Sequence, residues 1–414
     1  MDNYLKRADQ VFARINQLAA ISEHEQGITR TFGTEAFLQG SRQVFLWMQQ
    51  AGLDTRIDNI GNVRGRIISS NPDAKTFVIA SHIDTVVNAG KFDGPLGVLM
   101  GLDLLEQLVE NRVSLPFHIE LIAFSDEEGV RFHTTYLGSK VVTGAFDTSL
   151  LNKTDHAGNT LSSVITGMGG AINLLSHDAI APQNWLGYYE IHIEQGPVLY
   201  ERNIPVAIVT AIAGQKRVEI TFTGMAGHAG TVPMDMRKDA LCAAAEFVLM
   251  VQQYALANKT NMVATVGKLE VINSASNVIP GKVVCSLDLR SADGSMLEKA
   301  YQYINKFAEE IAKKHDTVTV FNLIQHSNSS TCDDNLNNNL RNSILNSGIE
   351  LVELVSGAGH DAVPISQVSP VSMLFVRCYK GISHNPLEDA EIQDVAAAIQ
   401  VSEKFIKTLI DQYH

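Results

Sequence analysis

The apolar positions of the chain alternate between two spacings over its first half. FVIASHIDT (77–85) is continuously apolar until it closes on polar residues, as a strand buried on both faces is. GVLMGLDLLEQLVEN (97–111) changes to helical spacing, with Val98, Leu102, Leu105 and Leu108 on one stripe. FHIELIAFSDEEG (117–129) and YYEIHIEQG (188–196) return to the strand pattern and carry acids at their carboxyl ends. The opening MDNYLKRADQVFARINQLAAI reads as an amphipathic helix, without the apolar core and cleavage site of a secretion signal. Such strand–helix alternation predicts an α/β domain with a mostly parallel sheet. Ligands bind such sheets at the carboxyl ends of the strands.

The rhythm changes between about 214 and 326. A strand (217–224) leads to a helix (about 236–257), then come the strands MVATVGKLEVI (262–272) and KVVCSLDLR (282–290). A second helix (about 295–315) and TVTVFNLI (317–324) follow. This βαββαβ order is the ferredoxin-like unit. The chain then returns to alternation through ELVELVSGAGHDA, VSMLFVRC and a terminal amphipathic helix near 390–411. The expected organisation is a catalytic domain from 1–213 and 327–414 with a small domain, 214–326, inserted into it. The polar stretch SNSSTCDDNLNNN (327–339) is expected to be a linker or loop.

Composition narrows the class. The 414 residues carry 45% hydrophobic and 19% charged side chains, as a globular protein does. No apolar stretch is expected to approach the roughly 20 residues of a membrane span, and the expected compartment is the cytoplasm. The net charge of −13 argues against nucleic acid as a partner. Cys242, Cys285, Cys332 and Cys378 are scattered, with no metal-binding or disulfide spacing.

The candidate chemistry sits at the strand ends: His82 in SHIDT, Asp93 in KFDGP, Glu127 and Glu128 in SDEEG, His192 in EIHIEQG and His384 in GISHNP. Singly, each has a bland reading as a polar residue capping a strand or as a turn residue. Together, imidazoles and carboxylates suit Zn²⁺ or a similar borderline ion such as Mn²⁺, Co²⁺ or Ni²⁺. The set is large enough for two divalent ions sharing a carboxylate, which can hold a hydroxide and polarise a carbonyl. The Glu127–Glu128 pair can supply one ligand and one free base. Asp84, two residues from His82, is placed to orient that ring through its other nitrogen.

A second group lies in the inserted segment. His228 falls in the glycine-rich GMAGHAGTVPMD (224–235), where a structural histidine has little to pack against. Asn277 and Arg290 sit at the ends of neighbouring strands. A guanidinium there can take a substrate carboxylate in a fork, or simply pair with an acid such as Asp288.

SHIDTVVNAGKFDGPLGVL, DEEGVRF, EIHIEQGPVL, GHAGTVPM, NVIPG, SGAGHDA and GISHNP occur in this order along nearly the whole chain. In these motifs the sequence resembles the di-metal aminoacylase/carboxypeptidase-type metallohydrolases. Within them it resembles the carbamoylase branch: N-carbamoyl-L-amino acid hydrolases, β-ureidopropionases and allantoate amidohydrolases. The resemblance implies that His82, Glu128, His192 and His384 bind two ions bridged by Asp93, with Glu127 as base and Asp84 beside it. It implies that Gln195, Gln215, Asn277, Arg290 and Gly359 line the substrate pocket and that His228 stabilises the oxyanion in the partner subunit of a homodimer. It further implies a cis peptide after Asp93. The implied reaction is hydrolysis of a terminal ureido group on an N-carbamoyl-L-amino acid, releasing amino acid, CO2 and ammonia. SHIDTVVNAG and GSK (138–140) resemble allantoate amidohydrolases instead, with ureidoglycine as product, whereas LFVRCYKGISHNP resembles the carbamoyl-amino-acid hydrolases. An aminoacylase, a dipeptidase and a metal-free binding protein are the remaining alternatives.

Overall fold

The structure, a computed structural model, describes residues 2–414. The chain forms two compact units: the residues up to Thr210 together with Cys332–His414, and Ala211–Thr331.

The first unit is built on a sheet whose central strands are parallel. Thr76–His82 pairs in parallel with His118–Phe124 on one side and Trp185–Ile193 on the other, and Val371–Val376 extends the parallel run. Antiparallel strands flank it, Val63–Ile67 and Asp54–Ile57 at one side and Val206–Ile212 at the other. Every residue of Thr76–His82, His118–Phe124 and Val371–Val376 is buried, which is why these strands read as unbroken apolar runs. Helices Asp2–Ala19, Pro95–Glu110 and Ile392–Tyr413 contribute to the same core through Val11, Ile15, Leu99, Leu102, Phe405 and Leu409. The register places His82 opposite Phe124 and Ile193 opposite Val376, so the carboxyl ends of the four parallel strands lie level. Where the insertion leaves and rejoins this unit, the Cys332 N–H donates to the Thr210 carbonyl at 3.0 Å.

Helix Pro95–Glu110 starts at the site. Proline at its first position has no N–H to leave unpaired, and Gly94 before it adopts φ 85°. A side chain at 94 would also meet the His82 ring at 2.5 Å, so this turn requires glycine. No cis peptide bond occurs among the described residues, so the expected cis bond after Asp93 is replaced by a trans bond into this positive-φ glycine.

The second unit has the βαββαβ order. Its antiparallel sheet runs Leu269–Val271, Lys282–Ser291, Gly214–Thr223, Val318–Ser327, the strand order of a ferredoxin-like fold. Helices Ala240–Ala257 and Gly294–Lys314 bury Phe247, Val251, Ile304 and Ile311 against Val218, Ile220, Phe222, Val283 and Leu287. The run 262–272 forms two short strands, Val263–Thr265 and Leu269–Val271, around Gly267, rather than one.

Two further expectations change. Residues 327–339 are not a linker: Ser330–Thr331 is a strand and Asp334–Leu345 a helix, capped by the Asp333 carboxylate on the Leu336 N–H. Asn-rich composition hides a buried stripe of Leu336, Leu340 and Ile344. Helix Ala240–Ala257 is, by length and composition, apolar enough to cross a membrane, with mean hydropathy 1.4 over 18 residues; a third of it is buried in its own unit.

Candidate metal centre

Residues from the level strand ends and the loops after them converge in the first unit. His82 ends its strand, Asp93 lies in the following loop, Glu127 and Glu128 follow the next strand, His192 precedes the end of the third, and His384 lies beyond the fourth. Asp93 divides its oxygens. Its Oδ1 lies 3.1 Å from His192 Nε2 and 3.5 Å from His82 Nε2, and its Oδ2 lies 3.1 Å from His384 Nε2. Glu128 Oε1 is 3.4 Å from the same His384 nitrogen. Three overlapping donor sets each fit within 4.8 Å: His82–Asp93–His192, His82–Glu127–Glu128 and Asp93–Glu128–His384.

The two buried histidines supply the sharper test. His82 Nδ1 lies 3.1 Å from the Asp84 carbonyl and His192 Nδ1 2.9 Å from the Ile193 carbonyl. Both Nδ1 atoms must therefore carry hydrogen, a tautomer inferred from the partners. That leaves two Nε2 lone pairs facing each other at 3.4 Å, a repulsive arrangement unless a cation or a proton joins them. Zn–N bonds of about 2.0–2.1 Å at tetrahedral angles put ligand nitrogens about 3.3 Å apart. The residues fit a metal ion.

The electrostatics agree. Burial works against charge on Asp93, but His192, His384 and His82 outweigh it and hold the carboxyl well below its usual range. His384, bonded to Asp93 and Glu128, is raised to about 10. Burial lowers His82, yet Asp84 and Asp93 together lift it well above its ordinary value. The site is built to hold positive charge. Burial, with the charges of Glu128, Asp361 and Asp84, pushes Glu127 well above the carboxylate range, against the pull of His82.

Asp84 does more than the sequence suggested. Its carbonyl is the nearer partner of His82, with its carboxylate 3.5 Å from that ring. The carboxylate accepts the backbone N–H of Glu127 at 3.0 Å and of Glu128 at 3.1 Å. Gln195 donates to Asp93 Oδ2 at 2.8 Å and so touches the shared carboxylate itself. Gln195 and His384 both hold positive φ, 57° and 54°, a strained backbone for non-glycine residues. Gly359 lies under Tyr136, whose hydroxyl would be 1.9 Å from any side chain there.

The remaining candidates lie in the second unit. The Gln215 amide and the Arg290 guanidinium, opposite each other in register, both bind Asp288, at 2.5 and 2.8 Å. Arg290 thus has the acidic neighbour that the bland reading named. His228 is exposed on the short strand Gly227–His228, which pairs with Val278–Ile279, and the Asn277 carbonyl accepts the Ala229 N–H.

Several residues around the centre were missed. Glu190 and Asp361 are fully buried carboxyls behind His192 and Glu127, each with one oxygen lacking a hydrogen-bond partner. Burial first, then their mutual charge for Asp361, raises them. Glu388 and Ser383 hold the Asp93 loop. The acid of IHIEQG's strand and the aspartate of SGAGHDA were visible as motif members, but spacing alone gave them no task.

The sequence model of Peptidase family M20/M25/M40 matches residues 78–408. Allantoate deiminase 2 of Glycine max is 35% identical over 433 residues, covering 97% of this chain and 89% of that protein. N-carbamoyl-L-amino-acid amidohydrolase of Pseudomonas sp. (strain NS671) is 36% identical over 395 residues, covering 94% of each. Among solved structures, an amidase of the hydantoinase/carbamoylase family from Burkholderia multivorans is 31% identical with a TM-score of 0.91, covering 97% of this chain and 98% of that one. The chain belongs to peptidase family M20/M25/M40 and is a hydrolase.

Proposed function

We propose that the chain is a metal-dependent amidohydrolase that cleaves the terminal ureido carbon–nitrogen bond of a small carboxylate-bearing substrate. The observation that carries the proposal is Asp93 dividing its oxygens between the His82–His192 pair and His384 with Glu128. His82, Asp93, His192, Glu128 and His384 would hold two divalent ions, zinc or manganese, with cobalt and nickel compatible with the same donors. Bound there, the ions supply an acidified water and a Lewis acid for the carbonyl. Glu127 accepts the proton of the attacking water and returns it to the leaving nitrogen. Asp84 fixes the backbone that carries Glu127 and Glu128. Gln195 and Gly359 are assigned to the pocket, as are Gln215, Asn277 and Arg290 of the second unit. Arg290 takes the substrate carboxylate and the partner subunit's His228 the oxyanion.

The first substrate class is N-carbamoyl-L-amino acids, the class named for the Pseudomonas relative. Allantoate is the second, favoured by the Glycine max relative at nearly the same identity. A homodimer formed through the second unit is supported by the exposed Leu249 and Leu256 on its apolar helix. The sheet edge Val318–Ser327 adds the exposed Val318, Val320 and Ile324. The cytoplasm is the proposed compartment.

The test is a panel of N-carbamoyl-L-amino acids, allantoate, N-acetyl amino acids and dipeptides, offered to enzyme reconstituted with Mn²⁺ or Zn²⁺. Turnover of ureido compounds alone is expected. Turnover of allantoate alone moves the assignment to the second substrate. Turnover of acetyl amino acids or dipeptides alone refutes ureido hydrolysis, and absence of bound metal refutes the metal-dependent mechanism.

A further inference from the structure

Glu388 lies four residues after His384 and is buried, though the Leu387 side chain beside it is exposed. Its Oε1 accepts two consecutive backbone N–H groups, those of Phe92 at 2.7 Å and Asp93 at 3.1 Å. Its Oε2 lies 3.2 Å from the Ser383 hydroxyl, which is 2.8 Å from Asp93 Oδ2. One carboxylate therefore grips Asp93 twice, by the backbone and, through a hydroxyl, by the shared oxygen. Gly90 makes the grip possible: a Cβ there would lie 2.2 Å from Glu388 Cβ and 2.5 Å from its carboxyl carbon. No positive φ accounts for glycine at 90, so its task is this close approach.

Resting on the metal-centre reading above, we propose that Glu388 is the positioning residue of the bridging carboxylate. It fixes the height of Asp93 between the two ion sites and, through Ser383, the direction of Oδ2. Ser383 has one proton and two carboxylate neighbours. Glu388 therefore also sets which way that proton points, and so how much of Oδ2 is left for an ion. Outer residues that orient a ligand in this way commonly account for 10–100-fold in metal affinity.

Two variants reach the same contact by different routes. Glu388→Gln keeps the shape and an oxygen for the two N–H groups but removes the charge; Gly90→Ala displaces the carboxylate without altering any ionisable group. Binding of Mn²⁺ is read by competition with a chromophoric chelator, and the unfolding midpoint is measured on the metal-free proteins. Both variants are expected to bind at least one ion about tenfold or more weakly, with the metal-free midpoint lowered less than the metal-bound one. Unchanged affinity in the variants overturns the proposal. So does a metal-free midpoint lowered as far as the metal-bound one, because a plain loop anchor gives that result. If one variant does not fold, the other decides. An unmodified chain that binds fewer than two ions refutes the metal-centre reading instead, so the two failures are distinct.

Discussion

Asp84→Asn is the most informative single change. The Asp84 carboxylate is buried and accepts the N–H groups of Glu127 at 3.0 Å and Glu128 at 3.1 Å. Asparagine keeps the volume, but one of its two terminal atoms becomes an NH₂ that cannot accept. A hydrogen bond to a buried charge contributes about 1.5–3 kcal/mol and a neutral one about 0.5–1.5. Exchanging two of the first for one of the second leaves a loss of about 3 kcal/mol, before the NH₂ is set facing a backbone N–H. In the metal-free chain part of this is offset, because Asp84 repels the buried Asp126 and Glu127 carboxyls and raises both. With divalent ions bound that relief disappears, since the neighbouring charge is neutralised. The loaded enzyme should therefore show the full effect, about a hundredfold in metal affinity and kcat combined at 1.4 kcal/mol per tenfold. The metal-free protein should lose less. The assay pairs kcat at saturating metal with chelator competition on the same preparation. A variant within roughly threefold of the parent in both, well under the 1.4 kcal/mol of a tenfold change, would show that the two N–H contacts do not hold the site.

Glu127→Gln is expected to lower kcat by roughly 10²–10⁴ while two ions remain bound, as counted by elemental analysis; retained turnover removes Glu127 as the base. His228→Ala should cost roughly 10²–10³ in kcat if the imidazole is an oxyanion donor, and an unchanged kcat returns it to the hairpin it shares with Val278–Ile279. The third concerns pH. Burial pushes Asp58 from 3.8 to about 6, against the pull of Arg64. The folded chain then binds this proton more tightly than the unfolded one between those values. Stability from this group is full below about pH 3.8 and falls as pH rises to about 6, by about 3 kcal/mol. Asp58→Asn should gain that amount on the parent over this range in urea unfolding of the metal-free protein, and a pH-independent difference would refute it.

The parts of this fold that were legible in the sequence are those whose pattern is local. The parallel strands are buried on both faces, so they appear as unbroken apolar runs ending abruptly in His, Asp or Glu. That abruptness places His82, the Glu127–Glu128 pair and His192 on one edge of the sheet. The helix Asp334–Leu345 was illegible for the opposite reason. It needs only Leu336, Leu340 and Ile344 to bury its face, and five asparagines obscure them. Glu388 and Ser383 were invisible because their meaning depends on a loop nearly three hundred positions earlier; no spacing signals that contact. The same holds for Gly90, which reads as an ordinary turn residue until Glu388 is set against it.

The hydrogen bond between Thr210 and Cys332 has a practical consequence. The chain departs from the first unit and returns to it at neighbouring backbone atoms, so the intervening 121 residues form a detour rather than a strut. A few-residue turn joining Thr210 to Cys332 would shorten the gene product by more than a quarter yet keep His82, Asp84, Asp93, Glu127, Glu128, His192, His384 and Glu388. Such a minimal chain would let ion loading be engineered and measured separately from substrate choice.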